Sequence, residues 1–177
     1  MCGNTTKQRI GAALRQLMRE RPFDRITVQN LMDATNMKRQ SFYYHFRDTR
    51  DVLLWICRQE LVEPLRRSEL AFPDWAMLAL EIVERDRAFY RKLLAAAHPD
   101  FVREIGTQVL RHRTVCLLYG QLPDTELDAT QRYVVDFFVQ AILGQFLRFA
   151  AGRAPLDRQV AREHIAGLLG VIRISRG

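Results

Sequence analysis

The chain has 177 residues, of which 48% are hydrophobic and 27% are charged, and its formal net charge at pH 7 is +7. This length suits one large or two small domains with a true hydrophobic core. The three cysteines are odd in number and far apart, and the four histidines pair with no other ligand at zinc spacing, so neither a disulfide framework nor a metal site is expected. With no apolar run of about 18 residues and no signal-peptide core, we expect a soluble, cytoplasmic protein that contacts no membrane and carries no cofactor.

The positive charge is concentrated in the first part of the chain. Residues 1–50 contain ten Lys and Arg against four Asp and Glu, a net +6, whereas residues 51–177 contain seventeen against sixteen, a net +1. A polyanion-binding surface requires this segregation, whereas a merely solvated surface would be basic throughout. The asymmetry favours DNA as the partner of the N-terminal segment.

The first predicted element is an amphipathic helix. It starts at Thr6, because apolar residues recur from there at helical spacing, and it ends before Pro22. Its inward positions are Ile10, Ala13, Leu14, Leu17 and Met18. Phe23 and Ile26, which precede the next helix, are apolar and are expected to pack into the core.

Two short helices are predicted next. Thr27 is a good N-cap for the first of them, and Asn36, which tolerates left-handed backbone better than most residues, stands at its end. A third helix then covers about residues 39–46. Phe42 and Phe46 lie on its inward face, four residues apart.

The outward face of the third helix carries side chains that can hydrogen-bond to phosphates and base edges. They are Lys38, Arg39, Gln40, Ser41, Tyr43, Tyr44 and His45. Two helices joined by a short turn with such a face predict a helix-turn-helix, whose second helix enters the DNA major groove. Core packing is the alternative for Tyr43 and Tyr44, and a structural hydrogen bond is the alternative for His45. Because Phe42 and Phe46 already supply the inward face, we expect at least one exposed tyrosine.

The rest of the chain also has helical periodicity, without convincing strand alternation. A fourth helix, capped by Asp48 or Thr49 and covering about residues 49–63, links a helix-turn-helix domain at 1–50 to a helical domain at 51–177. Proline and glycine separate the further helices, which are predicted at about 74–85, 87–96, 99–119, 128–151 and 156–174. The predicted fold is therefore all-α, with about nine helices.

The segment 133–149 is apolar on nearly all sides, so it must be buried on more than one side. In a domain this small, one side can face the chain's own core and another can face a second copy. Gly167 and Gly170 in the last helix permit close helix approach, and two such helices per chain would form a four-helix dimer interface. The residues expected there are Phe138, Ile142, Phe146, Phe149, Ile165, Leu168, Leu169 and Ile172. The alternative is a monomer whose core helix is covered by the last helix.

These features resemble the TetR family of transcriptional regulators. The similarity rests on the first helix, on the entry at 23–28, and on the ending at 41–46 followed by Arg47 and Asp48, and it covers about residues 6–54. Residues 39–46 also resemble a subgroup of short members that includes activators of dihydroxyacetone kinase operons. The resemblance implies a homodimer that binds a palindromic operator in double-stranded DNA.

The resemblance also assigns roles to single residues. Thr27 would place its backbone N–H and hydroxyl on a phosphate, and Tyr43 and His45 would touch the DNA backbone. The family usually has Lys where this chain has Thr49, so Arg47 or Arg50 would substitute for that phosphate contact. The side chains left to reach base edges or nearby phosphates are Lys38, Arg39, Gln40 and Tyr44.

The family's C-terminal region binds a small effector, which resets the spacing of the two DNA-reading heads. In a repressor the effector favours the DNA-free geometry, and in an activator the preference is reversed. Candidate pocket residues are aromatic or soft: Trp55, Phe89, Phe101, Cys116, Tyr119, Tyr133 and Phe137. Core packing is the alternative for each of them. The apolar stripes favour an apolar or aromatic effector.

The sequence also bears on function classes other than an effector-controlled regulator. No Gly-rich phosphate loop, nucleophile elbow, paired-carboxylate setting or metal-spaced His/Cys cluster is present in the sequence, so an enzyme is not expected. A ligand-independent DNA-binding protein remains open. So does a helical adaptor or carrier whose basic end docks on acidic partners.

Overall fold

The computed structural model describes residues 2–96, 99–120, 122–153 and 157–174. Over these residues the regular structure is entirely helical, which confirms the predicted all-α fold. The α-helices are α1 (Cys2–Glu20), α2 (Val28–Thr35), α3 (Arg39–His45), α4 (Thr49–Cys57), α5 (Glu63–Arg67), α6 (Phe72–Arg85), α7 (Arg87–Ala96), α8 (Pro99–Tyr119), α9 (Ala129–Ala150) and α10 (Arg158–Ile174). Short 3-10 turns lie at Phe23–Arg25 and Asp124–Glu126.

Most predicted helix ends lie within two residues of the observed ones. The bounds of α7 and α8 are those predicted, and α9 is one residue shorter at each end. A difference of four residues occurs at the start of α1, which begins at Cys2 rather than Thr6 because no proline interrupts the preceding residues.

A π-helical turn at Arg58–Val62 joins α4 to α5. The backbone stays helical on both sides of it, so the three segments form one continuous helix and the described residues contain nine helices in all. Pro64 explains the wide turn, because proline has no N–H to donate to the carbonyl four residues earlier and its ring clashes with that carbonyl. The N–H of Glu63 donates instead to the carbonyl of Arg58, five residues back. The linking helix therefore ends at Arg67, beyond the predicted end near residue 63.

Two clusters of apolar side chains form the core. The first is centred on α1, α3 and α4, with Leu14, Phe42 and Ile56 fully or almost fully buried, and it extends to Phe89 on α7 and Phe149 at the end of α9. The first cluster thus contains residues from both sides of position 50. The second cluster packs α6, α8 and α9 together.

Gly106 sets the close approach of α8 to α9. A Cβ atom added there would lie 2.4 Å from Cδ1 of Leu143, closer than van der Waals contact allows. Leu143 is buried in the second cluster, so a larger residue at 106 would require either that this side chain shifts or that the two longest described helices separate.

The outer side of α9 is open in the single chain. Among the described residues, α9 is the helix long and apolar enough to cross a membrane, with a mean hydropathy of 1.3 over its most apolar window, so the expectation that no segment reaches that length was wrong. A core helix of a soluble protein meets the same criterion by length and composition. However, only 28% of that window is buried within the chain. Much of its apolar surface is therefore uncovered by this chain.

Candidate nucleic-acid interface

The start of α2 is fixed by a reciprocal cap between Thr27 and Asn30. The Thr27 hydroxyl accepts the N–H of Asn30 at 3.2 Å, and the Asn30 side-chain oxygen accepts the N–H of Thr27 at 3.0 Å. The same oxygen lies 3.0 Å from the Thr27 hydroxyl. Such a cap satisfies N–H groups that the first helical turn leaves unpaired. The Thr27 N–H and hydroxyl, expected on a phosphate, are thus occupied within the protein.

The turn between α2 and α3 depends on one left-handed residue. Asn36 has φ 51° and ψ 44°, as the sequence predicts for this position. The turn is closed by the N–H of Met37, which donates to the carbonyl of Met32 at 3.1 Å. Arg9 reaches across from α1 and donates to the carbonyl of Thr35 at 2.9 Å, so the first helix holds the end of the second.

The inward face of α3 is anchored by two phenylalanines, as predicted. Phe42 is completely buried, and Phe46, just after the helix, is almost so. Their ring centres lie 5.9 Å apart, and the Phe46 ring lies 6.0 Å from that of Trp55 on α4. Because α3 has only seven residues, these contacts rather than intrinsic helix propensity hold its orientation.

The opposite face of α3 is open to solvent. Tyr44 is 85% exposed and Tyr43 about half exposed, while Lys38, Arg39 and Gln40 are also exposed. The Arg39 guanidinium donates to the Tyr43 hydroxyl at 3.1 Å and lies 5.6 Å from the centre of that ring. This contact aligns a cation with an aromatic hydroxyl one helical turn away.

The remaining predicted DNA contacts lie around this face. Ser41 and His45 are half-buried, and the His45 ring packs edge-on against Tyr44 at 4.9 Å between centres. Arg47 follows α3 with its side chain almost fully exposed, and its N–H donates to the carboxylate of Asp51 at 3.1 Å. The structure therefore brings the predicted residues to one end of the molecule.

Sequence reasoning missed cations that flank this surface. Arg25 is exposed just before α2, and the Lys7 ammonium of α1 lies 5.6 Å from the centre of the Phe46 ring. The excess of positive charge within residues 1–50 was the available signal for them. Together with the exposed Arg50 at the start of α4, they extend the basic surface beyond α3.

A large apolar cavity lies against the second core cluster, and no residue of α1, α2 or α3 belongs to its described wall. It has a volume of about 720 Å³ and is bounded by the π turn, α5, α6, α8, α9 and α10. Its walls include Leu61, Trp75, Ala79, Gly106, Phe146 and Ile165. A volume of this size suits a drug-sized molecule.

The aromatic residues predicted for an effector pocket do not form this cavity. Trp55 packs against Phe46, and Phe89 is buried beneath the guanidinium of Arg15 in the first core cluster. Phe89 is a core residue and Trp55 is partly buried against that core, and neither belongs to the described wall of the cavity. The side chain of Phe101 lies outside the described part of the chain.

The other predicted pocket residues lie elsewhere on α8 and α9. Tyr133 is 72% exposed and Phe137 is 62% exposed on the outer side of α9. Cys116 is exposed, not a core residue, with its sulfur 3.8 Å from Nε2 of His112 in a second, shallower pocket. Tyr119 is partly buried against the second core cluster. Helical spacing identified apolar faces but could not say which of them enclose a space.

Of the residues predicted for a dimer interface, the five whose side chains the structure describes are buried or partly buried within the single chain. Phe149 is buried in the first cluster, so its assignment to an interface was wrong, and Phe138 is partly buried against the second cluster. Ile142, Phe146 and Ile165 line the cavity instead. The side chains of Leu168, Leu169 and Ile172 lie outside the described residues. The outward stripe of α9 consists of Tyr133, Phe137, Ala141 and Gly144.

Polar contacts join α1 to the C-terminal helices. Arg15 donates to the carboxylates of Glu60, in the π turn, and Asp86, between α6 and α7. Lys92 of α7 donates to the carbonyl of Met18 near the end of α1. The first helix, whose Arg9 holds the end of α2, is thus also held by the π turn that borders the cavity and by α7.

Comparison with known proteins agrees with this geometry. Residues 10–55 match the family model described as bacterial regulatory proteins, tetR family. Over 90 residues the chain is 24% identical to the HTH-type dhaKLM operon transcriptional activator DhaS of Lactococcus lactis subsp. lactis (strain IL1403). That alignment covers 50% of this chain and 48% of the relative, so the chain matches about half the length of this curated protein.

The similarity in fold extends further along the chain. A solved structure of the dihydroxyacetone kinase operon activator DhaS superposes with a TM-score of 0.71 and 19% identity, over 96% of this chain and 97% of that chain. At this identity the likeness establishes the fold alone. These three descriptions concern regulators of transcription, and none of the three is of an enzyme.

Proposed function

We propose that this chain, whose residues 10–55 match the family model of bacterial regulatory proteins, tetR family, is a regulator of transcription. It binds a palindromic operator in double-stranded DNA as a homodimer, and a small effector in the C-terminal domain sets its affinity for the operator. Residues 1–50 form the DNA-binding domain, and residues 51–177 form the effector-binding and dimerisation domain. Because bacterial operators lie in the cytoplasm, the protein acts there.

One observation carries the DNA-binding part of this proposal. The short helix α3 presents Arg39, Gln40 and Tyr44 to solvent, while Phe42 on its other face is completely buried. An arginine and a glutamine on such a helix can pair with guanine and adenine edges in the major groove. Exposed basic residues on the flanking elements supply the phosphate contacts that fix the register.

A homodimer follows from the small size of the reading helix. One helix of seven residues buries too little surface for tight specific binding, whereas a symmetric pair contacts two successive major grooves. The outward stripe of α9 supports this, because Tyr133 and Phe137 are large, apolar and exposed in the single chain. Ala141 and Gly144 continue the stripe with small side chains that permit close helix approach.

Effector control is supported by the cavity and by its connection to α1. Leu61 and Val62 line the cavity from the π turn, and the adjacent Glu60 holds Arg15. An effector that binds one orientation of the head better than another would shift the population toward it. The name of the curated relative, a transcriptional activator, favours activation over repression as the outcome for this chain.

The experiment that tests the proposal is selection of bound fragments from a random duplex library, followed by footprinting of the full-length protein. We expect two protected half-sites whose centres lie about 34–36 Å apart along the duplex. Binding should weaken steeply as salt rises, because neutralised phosphates release counterions. Diffuse or absent protection would contradict an operator-binding role and favour the adaptor alternative.

Arg39→Ala is the matched test of the reading helix. We expect at least about tenfold weaker operator binding with an unchanged helical circular dichroism spectrum, because a bidentate base contact contributes ~1–3 kcal/mol. Arg66→Ala is the control, since Arg66 is also an exposed arginine but lies near the end of α5. Equal loss of binding in both variants would indicate a general charge effect rather than a role for α3.

A further inference from the structure

We propose that the apolar cavity takes a ligand with an apolar or aromatic body and a neutral or positively charged polar end, and that it rejects anions. This proposal rests on the proposed function only in calling the ligand an effector. The binding itself follows from the chemistry of the cavity wall.

The interior of the cavity offers almost no hydrogen-bonding groups. Its inner wall consists of aliphatic and aromatic side chains from α6, α8 and α9. Trp75 is the one tryptophan in the described wall, and its indole N–H already donates to the carbonyl of Leu65 at 2.8 Å. The indole ring therefore presents only apolar surface. A ligand body with several hydroxyl groups would lose its hydrogen bonds to water without replacement.

Polar side chains are confined to the edge between α9 and α10. Gln145 on α9, Asp157 before α10 and His164 on α10 belong to the described cavity wall, and all three are exposed. In contrast, Trp75 and Ala79 on the inner side are buried. The exposed edge is therefore the mouth of the cavity, and the polar end of a ligand would lie there.

The charge at this mouth is unfavourable for an anion. Asp157 is the charged carboxylate of the described wall, and no lysine or arginine belongs to that wall. Two arginines of the neighbouring elements have other partners, since Arg158 pairs with Glu81 at 3.6 Å and Arg113 donates to the carbonyl of Leu70 at 3.1 Å. At this exposed mouth a ligand carboxylate or phosphate would lie beside a like charge, and the repulsion disfavours its binding.

A matched series of three small molecules tests the proposal by calorimetric titration of the purified full-length protein without DNA. The probes are 2-naphthylmethylamine, 2-naphthylmethanol and 2-naphthoate, which share a ring system and differ in the charge of the polar end. We expect the amine and the alcohol to bind, and the naphthoate to bind at least about tenfold more weakly than either. Naphthoate binding as tight as that of the amine would overturn the proposal, and so would binding by none of the three.

Two substitutions locate the binding. Asp157→Asn keeps the side-chain oxygen that accepts the N–H groups of Gln159 and Val160, so α10 retains its cap while the charge is removed. We expect it to weaken binding of the amine relative to the alcohol. Ala79→Phe fills the buried wall and should abolish binding of both, whereas Ala88→Phe, on the exposed side of α7, should not. Unchanged binding in Ala79→Phe would place the ligand elsewhere and overturn the proposal.

Failure of this proposal is distinguishable from failure of the proposed function. The titration contains no DNA, so a protein that does not bind an operator still reports on the cavity. The footprint contains no ligand, so an unoccupied cavity still permits half-site protection.

Discussion

The guanidinium carbon of Arg15 in α1 lies 3.9 Å from the ring centre of Phe89 in α7. The same guanidinium donates to the carboxylates of Glu60 and Asp86. One face of the group therefore lies on the Phe89 ring, while the N–H groups at its edge form two ion pairs. An arginine can make these contacts together because its planar group has donors around its rim. A single side chain therefore joins α1 to the π turn and to the start of α7.

Replacing Arg15 by methionine should loosen this junction. Arg15→Met keeps an unbranched chain over Phe89 and removes both ion pairs. We expect the free energy of unfolding to fall by about 1–2 kcal/mol, since the two carboxylates are partly exposed and the cation–π contact is lost as well. Urea unfolding measures this. Arg19→Met, on the exposed side of the same helix, is the control and should change stability by no more than about 0.5 kcal/mol.

The outward stripe of α9 predicts the oligomeric state of a charged variant. Phe137→Glu should convert the proposed dimer to a monomer, because a carboxylate would be buried unpaired at the centre of the interface. Sedimentation equilibrium measures the mass, and operator binding should weaken in parallel. Leu70→Glu replaces another exposed apolar side chain, away from α9, and should leave the mass unchanged. A dimeric Phe137→Glu protein would mean that subunits associate through another surface.

The left-handed turn residue predicts opposite effects of two small substitutions. Asn36→Gly should raise the free energy of unfolding by about 0.5 kcal/mol, because glycine adopts positive φ without steric cost. Asn36→Ala should lower it by about 1 kcal/mol, since alanine has neither that freedom nor a polar group for local hydrogen bonding. Thermal unfolding of both proteins measures the order. An alanine variant as stable as the parent would contradict the strain argued for this position.

The buried Cys57 predicts a loss of stability at alkaline pH. Burial, followed by the nearby Glu60 charge, raises the pKa of its thiol from 9.0 to about 11, against the opposing effect of Arg58. Above about pH 9 the unfolded thiol releases its proton while the folded thiol keeps it, so unfolding is favoured as pH rises. Between about pH 9 and 10 this group should contribute a decline approaching ~1.4 kcal/mol per pH unit.

The measurement is urea unfolding across this pH range. Cys57→Val, which keeps an apolar side chain of similar size, should show a shallower decline than the parent chain. Burial also raises the pKa of Tyr90, so part of the decline at still higher pH should persist in the variant. The same slope in both proteins would show that Cys57 is not the titrating group.

The helix-turn-helix was predictable because its boundaries depend on neighbouring residues. Thr27 caps a helix by bonding three residues ahead, and Asn36 ends that helix through its own backbone conformation. Phe42 and Phe46 are four residues apart, so helical spacing predicts that both face inward, and both are buried although Phe46 lies just after α3. None of these inferences required knowledge of distant segments.

The cavity and the outward stripe of α9 could not be predicted from the sequence by such local reasoning. Phe137 and Phe146 are both phenylalanines of the apolar helix α9, yet the first is exposed and the second lines the cavity. On a helix that is apolar all round, which side is covered depends on where α8 and α10 pack, and periodicity carries no information about that. The contacts of Arg15 were hidden for a related reason, since they depend on the π turn and on residues far along the chain.

The widened turn before Pro64 has a mechanical consequence. Proline cannot donate the N–H of an α-helical hydrogen bond to the carbonyl four residues earlier. The extra residue in the turn is therefore a fixed feature of this sequence. Two consecutive residues of that turn contact different parts of the molecule. Glu60 accepts a hydrogen bond from Arg15 of α1, and Leu61 lines the cavity. If the cavity binds the proposed effector, a displacement of its wall at Leu61 would therefore pass to α1 through the adjacent Glu60 and its contact with Arg15.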